Sequence, residues 1–206
     1  QSAEVRKQLL PLLRQREEWA ALARALAVSV EHAADKTVIL NYAREAADLY
    51  HQRLDNTEEA VPVLRKAVDL APEDRRLRAL LGDSLRAAGE LEEARGLLTA
   101  LIEDYGRRGS AERASVHVLL AKVLHALGEH EEALQQLDVA SKMDGDNVTI
   151  MQTMAQLARA AGQLERAEAA LRTLLLTARR MAHDDPGQAP IGRSEVLFEL
   201  SSIATA

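Results

Sequence analysis

The sequence contains no cysteine, which removes a disulfide framework, thiolate zinc sites and a cysteine nucleophile from consideration. Aromatic residues are nearly as scarce, at 2% of the chain against 47% hydrophobic residues overall. The apolar surface is therefore built from Ala, Leu and Val, side chains that suit close helix-on-helix packing. No apolar run approaches the ~20 residues that span a bilayer, and no charged-then-apolar leader opens the chain. With five prolines, ten glycines and little alternation of β-branched residues, no strand pattern stands out, and the fold class is all-α. Basic character is lacking as well. The net charge is −6, with Glu and Asp dispersed among Arg and Lys, which disfavours nucleic-acid binding and reads as a solvated helical surface.

What the chain does have is a period. The stretches DNTEEAV (55–61), GELEEAR (89–95), GEHEEAL (128–134) and GQLERAE (162–168) are variants of one another. Their common alanines, Ala60, Ala94, Ala133 and Ala167, lie 34, 39 and 34 residues apart. A second register of small residues, Ala47, Gly82, Ala121 and Ala155, keeps spacings of 35, 39 and 34. Two independent small-residue positions that share one period define an internal repeat.

Each period reads as two helices. In ASVHVLLAKVLHAL (114–127), Leu120, Ala121 and Leu124 recur at helical spacing, and Gly128 then ends the helix as a left-handed C′ residue. Glu131 and Glu132 follow in the first turn of the next helix, where carboxylates favour the positive end of the dipole. Helix pairs are expected over 36–53 with 57–70, 75–88 with 91–105, 112–127 with 130–143, and 148–161 with 164–181. An earlier pair, 3–15 with 17–33, holds Pro11 as a kink or break and Trp19 near its turn. The organisation is a helix pair over 1–35 that forms a degenerate repeat, repeats over 36–73, 74–111, 112–147 and 148–182, a loop over 183–193, and the first helix of a further repeat over 194–206. YGRRGSAER (105–113) accounts for the long interval. Because the sequence opens at Gln1 without Met and ends inside a helical pattern, it reads as a segment of a longer protein.

The pattern resembles the tetratricopeptide repeat family. Leu81-Gly82 and Leu120-Ala121 match the middle of that family's helix A, Gly89, Gly128 and Gly162 its turn, and Ala60, Ala94, Ala133 and Ala167 the first alanine of helix B. Ala67 and Ala140 match the second alanine and Pro72 the terminal proline. The aromatics are mostly replaced: only Tyr50 fills the helix-A site, and Leu64, Leu98, Leu137 and Leu171 take the helix-B site. The resemblance implies an α-solenoid of antiparallel helix pairs, a right-handed superhelix with helix A lining a concave groove for a peptide or protein.

Carried over from peptide-binding members, helix-A positions two, five, nine and twelve select Asn41, Arg44, Asp48 and His51 in the first unit. They select Arg76, Asp83 and Arg86 in the second, Lys122 and His125 in the third, and Gln152, Gln156 and Arg159 in the fourth. These positions hold five Arg or Lys and two Asp, a net of about +3 on an acidic chain. An acidic or carboxylate-terminated peptide is the expected ligand, with Arg as bidentate donor. The carboxylate clamp of chaperone-binding members wants Lys and Asn where this chain has Arg44 and Asp48, so chaperone-tail binding is not implied.

Chemistry-bearing motifs are few. His130-Glu131 begins a His-Glu-x-x-His zinc motif, but Leu134 stands at the second histidine position. His117 and His125, eight residues apart, are too separated to chelate one ion from one helix, and His32, His51 and His183 keep no pattern. Ser201-Ser202 has no base beside it, and adjacent acids such as Asp184-Asp185 are not an acid/base pair. No catalytic residue, metal ligand or cofactor is assigned, and the chain reads as a non-enzymatic, cytoplasmic protein-interaction scaffold. The alternatives are a regulatory or oligomerisation array attached to a catalytic domain outside this chain, and self-association through exposed terminal helices.

Overall fold

The computed structural model describes residues 2–184 and 196–197. Among them there are ten α-helices and no strand: α1 Ser2–Gln15, α2 Trp19–His32, α3 Lys36–Gln52, α4 Val61–Leu70, α5 Arg75–Ala87, α6 Leu91–Asp104, α7 Ala111–Ala126, α8 His130–Met143, α9 Val148–Ala160 and α10 Leu164–Asp184. The protein is thus all-α, a succession of antiparallel helix pairs. It divides into two compact units, residues 1–101 and 102–206. Of the expected helix 194–206 only Val196–Leu197 is described, and it is helical. α10 runs to Asp184, and the rest of the expected loop 183–193 lies outside the described residues.

In the first unit α2 packs on α3, and α3 and α5 pack against the segment of Thr57–Leu70. Its core is largely leucine: Leu22, Leu26, Leu64, Leu77, Leu85, Leu98 and Leu101 are all essentially inaccessible. α1 passes through Pro11 without a break. Pro11 lies on the exposed face, and because it has no N–H the helix loses one hydrogen bond there. The second helix of the next pair starts with a 3-10 turn, Thr57–Ala60, and becomes α-helical at Val61. Pro62 favours that late start, since its missing N–H falls among the unpaired donors of a helix's first turn.

In the second unit α7 packs on α8, α8 on α9 and α9 on α10, around Val116, Leu134, Leu137 and Ile150. Both registers of small residues are buried where the helices meet: Ala60, Ala94, Ala133 and Ala167 are 0% exposed. At Gly82 the reason is visible in the first unit, because a Cβ there would lie 2.6 Å from Leu98 Cδ2, inside van der Waals contact.

One geometry closes the turn within most pairs. The backbone N–H of Glu18, Glu90, Glu129 and Gln163 each donates to the carbonyl five residues earlier, on Leu13, Leu85, Leu124 and Ala158, at 2.8–3.0 Å. The residue just before each donor has positive φ: Glu17 at 56°, Gly89 at 80°, Gly128 at 85° and Gly162 at 72°. This is a left-handed helix C-terminus that gathers in the last carbonyls. The turn after α3 is one residue longer and places Asp55 at φ 48°.

The first helices of the pairs carry a second regular device. The side chains of Asp35, Asp74, Ser110 and Asn147 accept hydrogen bonds from the backbone N–H of Val38, Leu77, Arg113 and Ile150, capping α3, α5, α7 and α9. Each replaces an orphan-donor cost with a bond worth about 1 kcal/mol.

Candidate functional site

In the first unit the helix-A side chains are joined in pairs. Arg44 Nη2 donates to Asp74 Oδ2 at 2.7 Å, Arg76 Nη2 to Asp48 Oδ1 at 2.8 Å, and Arg86 Nε to Asp83 Oδ1 at 2.9 Å. Two of these pairs tie α3 to α5. Asn41 stands exposed on α3. The expected excess of positive charge is absent from this unit, because Asp74, the cap of α5, is a third carboxylate that spacing alone did not place there. Burial pushes the Asp74 carboxyl up, but the bonds from Arg44 and the Leu77 N–H outweigh it and hold it below the usual range.

His51 is at the centre of this face. Its Nε2 lies 2.9 Å from Ser84 Oγ, and its Nδ1 lies 3.7 Å from Asp83 Oδ2. Ser, His and Asp in that order have the connectivity of an acyl-transfer triad. Access decides the matter: Ser84 is 0% exposed and sits inside α5, where the surrounding backbone N–H groups are committed to the helix. No carbonyl substrate reaches that hydroxyl and no oxyanion donors surround it. The trio is a part-buried polar bridge between α3 and α5. Burial lowers the His51 pKa, and Arg86 adds to that, against the opposing pull of Asp83 and Asp48.

The helix-A face of the second unit has a different charge balance. α9 carries no Asp or Glu, and α7 carries only Glu112, in its first turn. Lys122 is half-buried, Gln156 and Arg159 are exposed and Gln152 is intermediate. No carboxylate among the described residues is joined to Lys122 or Arg159.

Histidines of the second unit fall into two environments. His117 is buried, at 5% exposure, with Nδ1 2.7 Å from Gln136 Oε1 and Nε2 without a hydrogen-bond partner. Burial lowers its pKa and Arg113 adds to that, while the bond to Gln136 works the other way. His125 and His130 face each other across the turn between α7 and α8, Nδ1 to Nδ1 at 2.9 Å with ring centroids 4.6 Å apart. A motif search that looks one helical turn downstream of His130 misses a partner that lies five residues upstream.

The second helices carry polar links that the sequence reading also missed. Glu131 accepts from Gln163 Nε2 at 2.8 Å and from Arg166 Nη1, and Arg166 also reaches Asp138. In the first unit Arg65 bridges Glu90 and Glu93. Lys66 Nζ donates to the last carbonyls of α2, Val30 at 2.7 Å and Glu31 at 3.1 Å. The Arg53 guanidinium lies 5.5 Å from the Trp19 ring, over its face. Among the described residues no group of three or more His, Asp or Glu could hold a metal ion, and no helix is long and apolar enough to cross a membrane. Ser201-Ser202 and Asp185 lie outside the described residues, as does the side chain of His183.

The paired helices, their small-residue registers and their common turn define a helical-repeat protein. A tetratricopeptide repeat profile matches residues 53–110 and 124–184, more than half of the chain, and the protein belongs to the tetratricopeptide repeat family. No curated protein sequence matches it. Solved structures similar to it include MamA 41-end from Desulfovibrio magneticus RS-1, 15% identical, with a TM-score of 0.61 over 90% of this chain and 98% of that one. Another is a Podosopora anserina putative kinesin light chain with nearly identical TPR-like repeats, 17% identical, TM-score 0.64, covering 89% and 96%. A third is YrrB, described as a TPR protein with an unusual peptide-binding site, 16% identical, TM-score 0.51, covering 89% and 84%. At these identities the likeness is one of fold. Members of the family generally serve as protein-interaction scaffolds.

Proposed function

We propose that this protein is a non-catalytic scaffold that holds a peptide or protein segment on its helix-A side chains, and that the second unit supplies the contact for an acidic segment. The observation that carries this reading is the difference in charge pairing. Arg44, Arg76 and Arg86 of the first unit each have an aspartate partner, whereas Lys122 and Arg159 have none among the described residues. A ligand carboxylate arriving at Arg44 or Arg76 displaces an existing ion pair and gains little. One arriving at Lys122 or Arg159 makes a new charge-assisted bond. Gln152 and Gln156 supply neutral donors and acceptors for the peptide backbone.

The test is fluorescence anisotropy with a Glu-rich peptide. Reversing both charges, Lys122→Glu with Arg159→Glu, is expected to weaken binding at least tenfold, a loss of about 1.4 kcal/mol, while Arg86→Glu changes it less. Equal binding by the double variant and the parent protein would overturn the reading.

A further inference from the structure

We propose that His125 and His130 form a two-imidazole site for a divalent late transition-metal ion of the Ni2+ and Cu2+ class. The site shares His125 with the expected helix-A groove positions, but it rests on the meeting of two rings at the end of a helix pair and is read out by metal binding alone.

The ring geometry carries the argument. Two imidazoles joined by a hydrogen bond in line with both rings would have centroids about 5.2 Å apart at this nitrogen separation. Lone pairs that converge on one ion about 2.0–2.1 Å from each nitrogen place the centroids about 4.5 Å apart. The observed centroid separation is 4.6 Å with the nitrogens 2.9 Å apart. That nitrogen spacing subtends about 90° at the ion, the cis angle of tetragonal and square-planar coordination, whereas a tetrahedral zinc ion wants nitrogens about 3.3 Å apart.

The backbone holds both rings in place before any ion arrives. His125 is in the last turn of α7 and His130 is the first residue of α8. Between them Gly128, at φ 85°, reverses the chain, and the Gly128 N–H donates to the His125 carbonyl at 3.0 Å. A chelate formed here spans the turn without rearranging it. His130 is exposed and His125 half-buried, so an ion enters from solvent on one side. Among the described residues no third His, Asp or Glu completes a cluster, and water fills the remaining positions. When the ion binds, the proton shared between the two Nδ1 atoms moves through solvent to an Nε2, with no net proton released.

The experiment titrates Ni2+ and Cu2+ alone into the whole chain at neutral pH by calorimetry, with electron paramagnetic resonance on the Cu2+ form. One ion per chain with micromolar affinity is expected, and the copper spectrum should show coupling to two imidazole nitrogens. His130→Ala, at an exposed position that leaves the fold intact by circular dichroism, and His125→Gln should each weaken binding at least tenfold. His32→Ala should leave it unchanged. The proposal is overturned by the absence of binding below millimolar concentration, or by one-to-one binding that survives both substitutions.

Discussion

Glu17 and Asp55 hold a backbone conformation that the other turns give to glycine. In an L-residue the left-handed region brings Cβ against the following carbonyl and costs roughly 1–2 kcal/mol, less for Asp, whose short side chain bonds locally. Glycine removes that cost but has more freedom to lose on folding. Glu17→Gly is therefore expected to stabilise the protein by about 1 kcal/mol and Asp55→Gly by about half that. Urea denaturation of the two variants checks the order as well as the sign. Both turns were placed by the helix pairs on either side of them, but which residue takes the left-handed conformation was not legible, because Glu17 and Asp55 carry no glycine to mark it. Gly89, Gly128 and Gly162 mark their turns openly. The same difference in visibility separates Ala133, whose spacing shows that it is packed against a neighbouring helix, from the pair His125 and His130, whose meeting depends on how a turn reverses.

At the scale of elements, Asp74 has two duties. It caps α5 through the Leu77 N–H at 3.1 Å and receives Arg44 from α3 at 2.7 Å. A cap is worth about 1 kcal/mol and a partly exposed ion pair 0–1 kcal/mol. Asp74→Ala should cost about 1.5 kcal/mol and Arg44→Ala about 0.5 kcal/mol in thermal or urea unfolding. Equal losses would show that the ion pair, not the cap, dominates. Helix positions were readable from periodicity nearly throughout, since buried small residues and leucines recur every three to four positions. At Pro11 the sequence left a kink or a break open, and α1 continues through it with one hydrogen bond missing, since proline has no N–H to donate. The Arg–Asp links between α3 and α5 were unreadable: partners about 30 residues apart are selected by side-chain reach across two helices. Counting charges along one helix face could not find Asp74, which belongs to the connection before α5.

At the scale of the whole molecule, three histidines share one direction of shift. His51, His117 and His125 all have lowered pKa values, with burial the largest cause in each. The unfolded chain takes up protons on these rings first as pH falls through about 6.5, so it binds more protons than the folded chain and stability declines. That loss levels off below the folded values. Asp74, held low in the folded state, contributes stability above its unfolded value near 4 that disappears as pH falls through its folded one. Melting temperature should therefore fall between about pH 7 and 5 and fall further in stronger acid. His51→Gln, which keeps a hydrogen-bonding group beside Ser84, should flatten the first step, and a melting temperature independent of pH over that range would contradict the argument.

The connections described above differ in kind according to which side of a helix pair they lie on. Four turns within pairs have three residues and one hydrogen-bond pattern, whereas the segments between pairs run from three residues, 33–35, to six, 105–110. A closed turn has a fixed number of residues because each carbonyl it gathers must meet a particular N–H. A connection whose only duty is to deliver a capping side chain to the next helix has no such count to keep. The segment 105–109 is therefore where the chain can accept a protease site or a fluorescent-protein graft, and a graft at Gly128 would have to dismantle a turn.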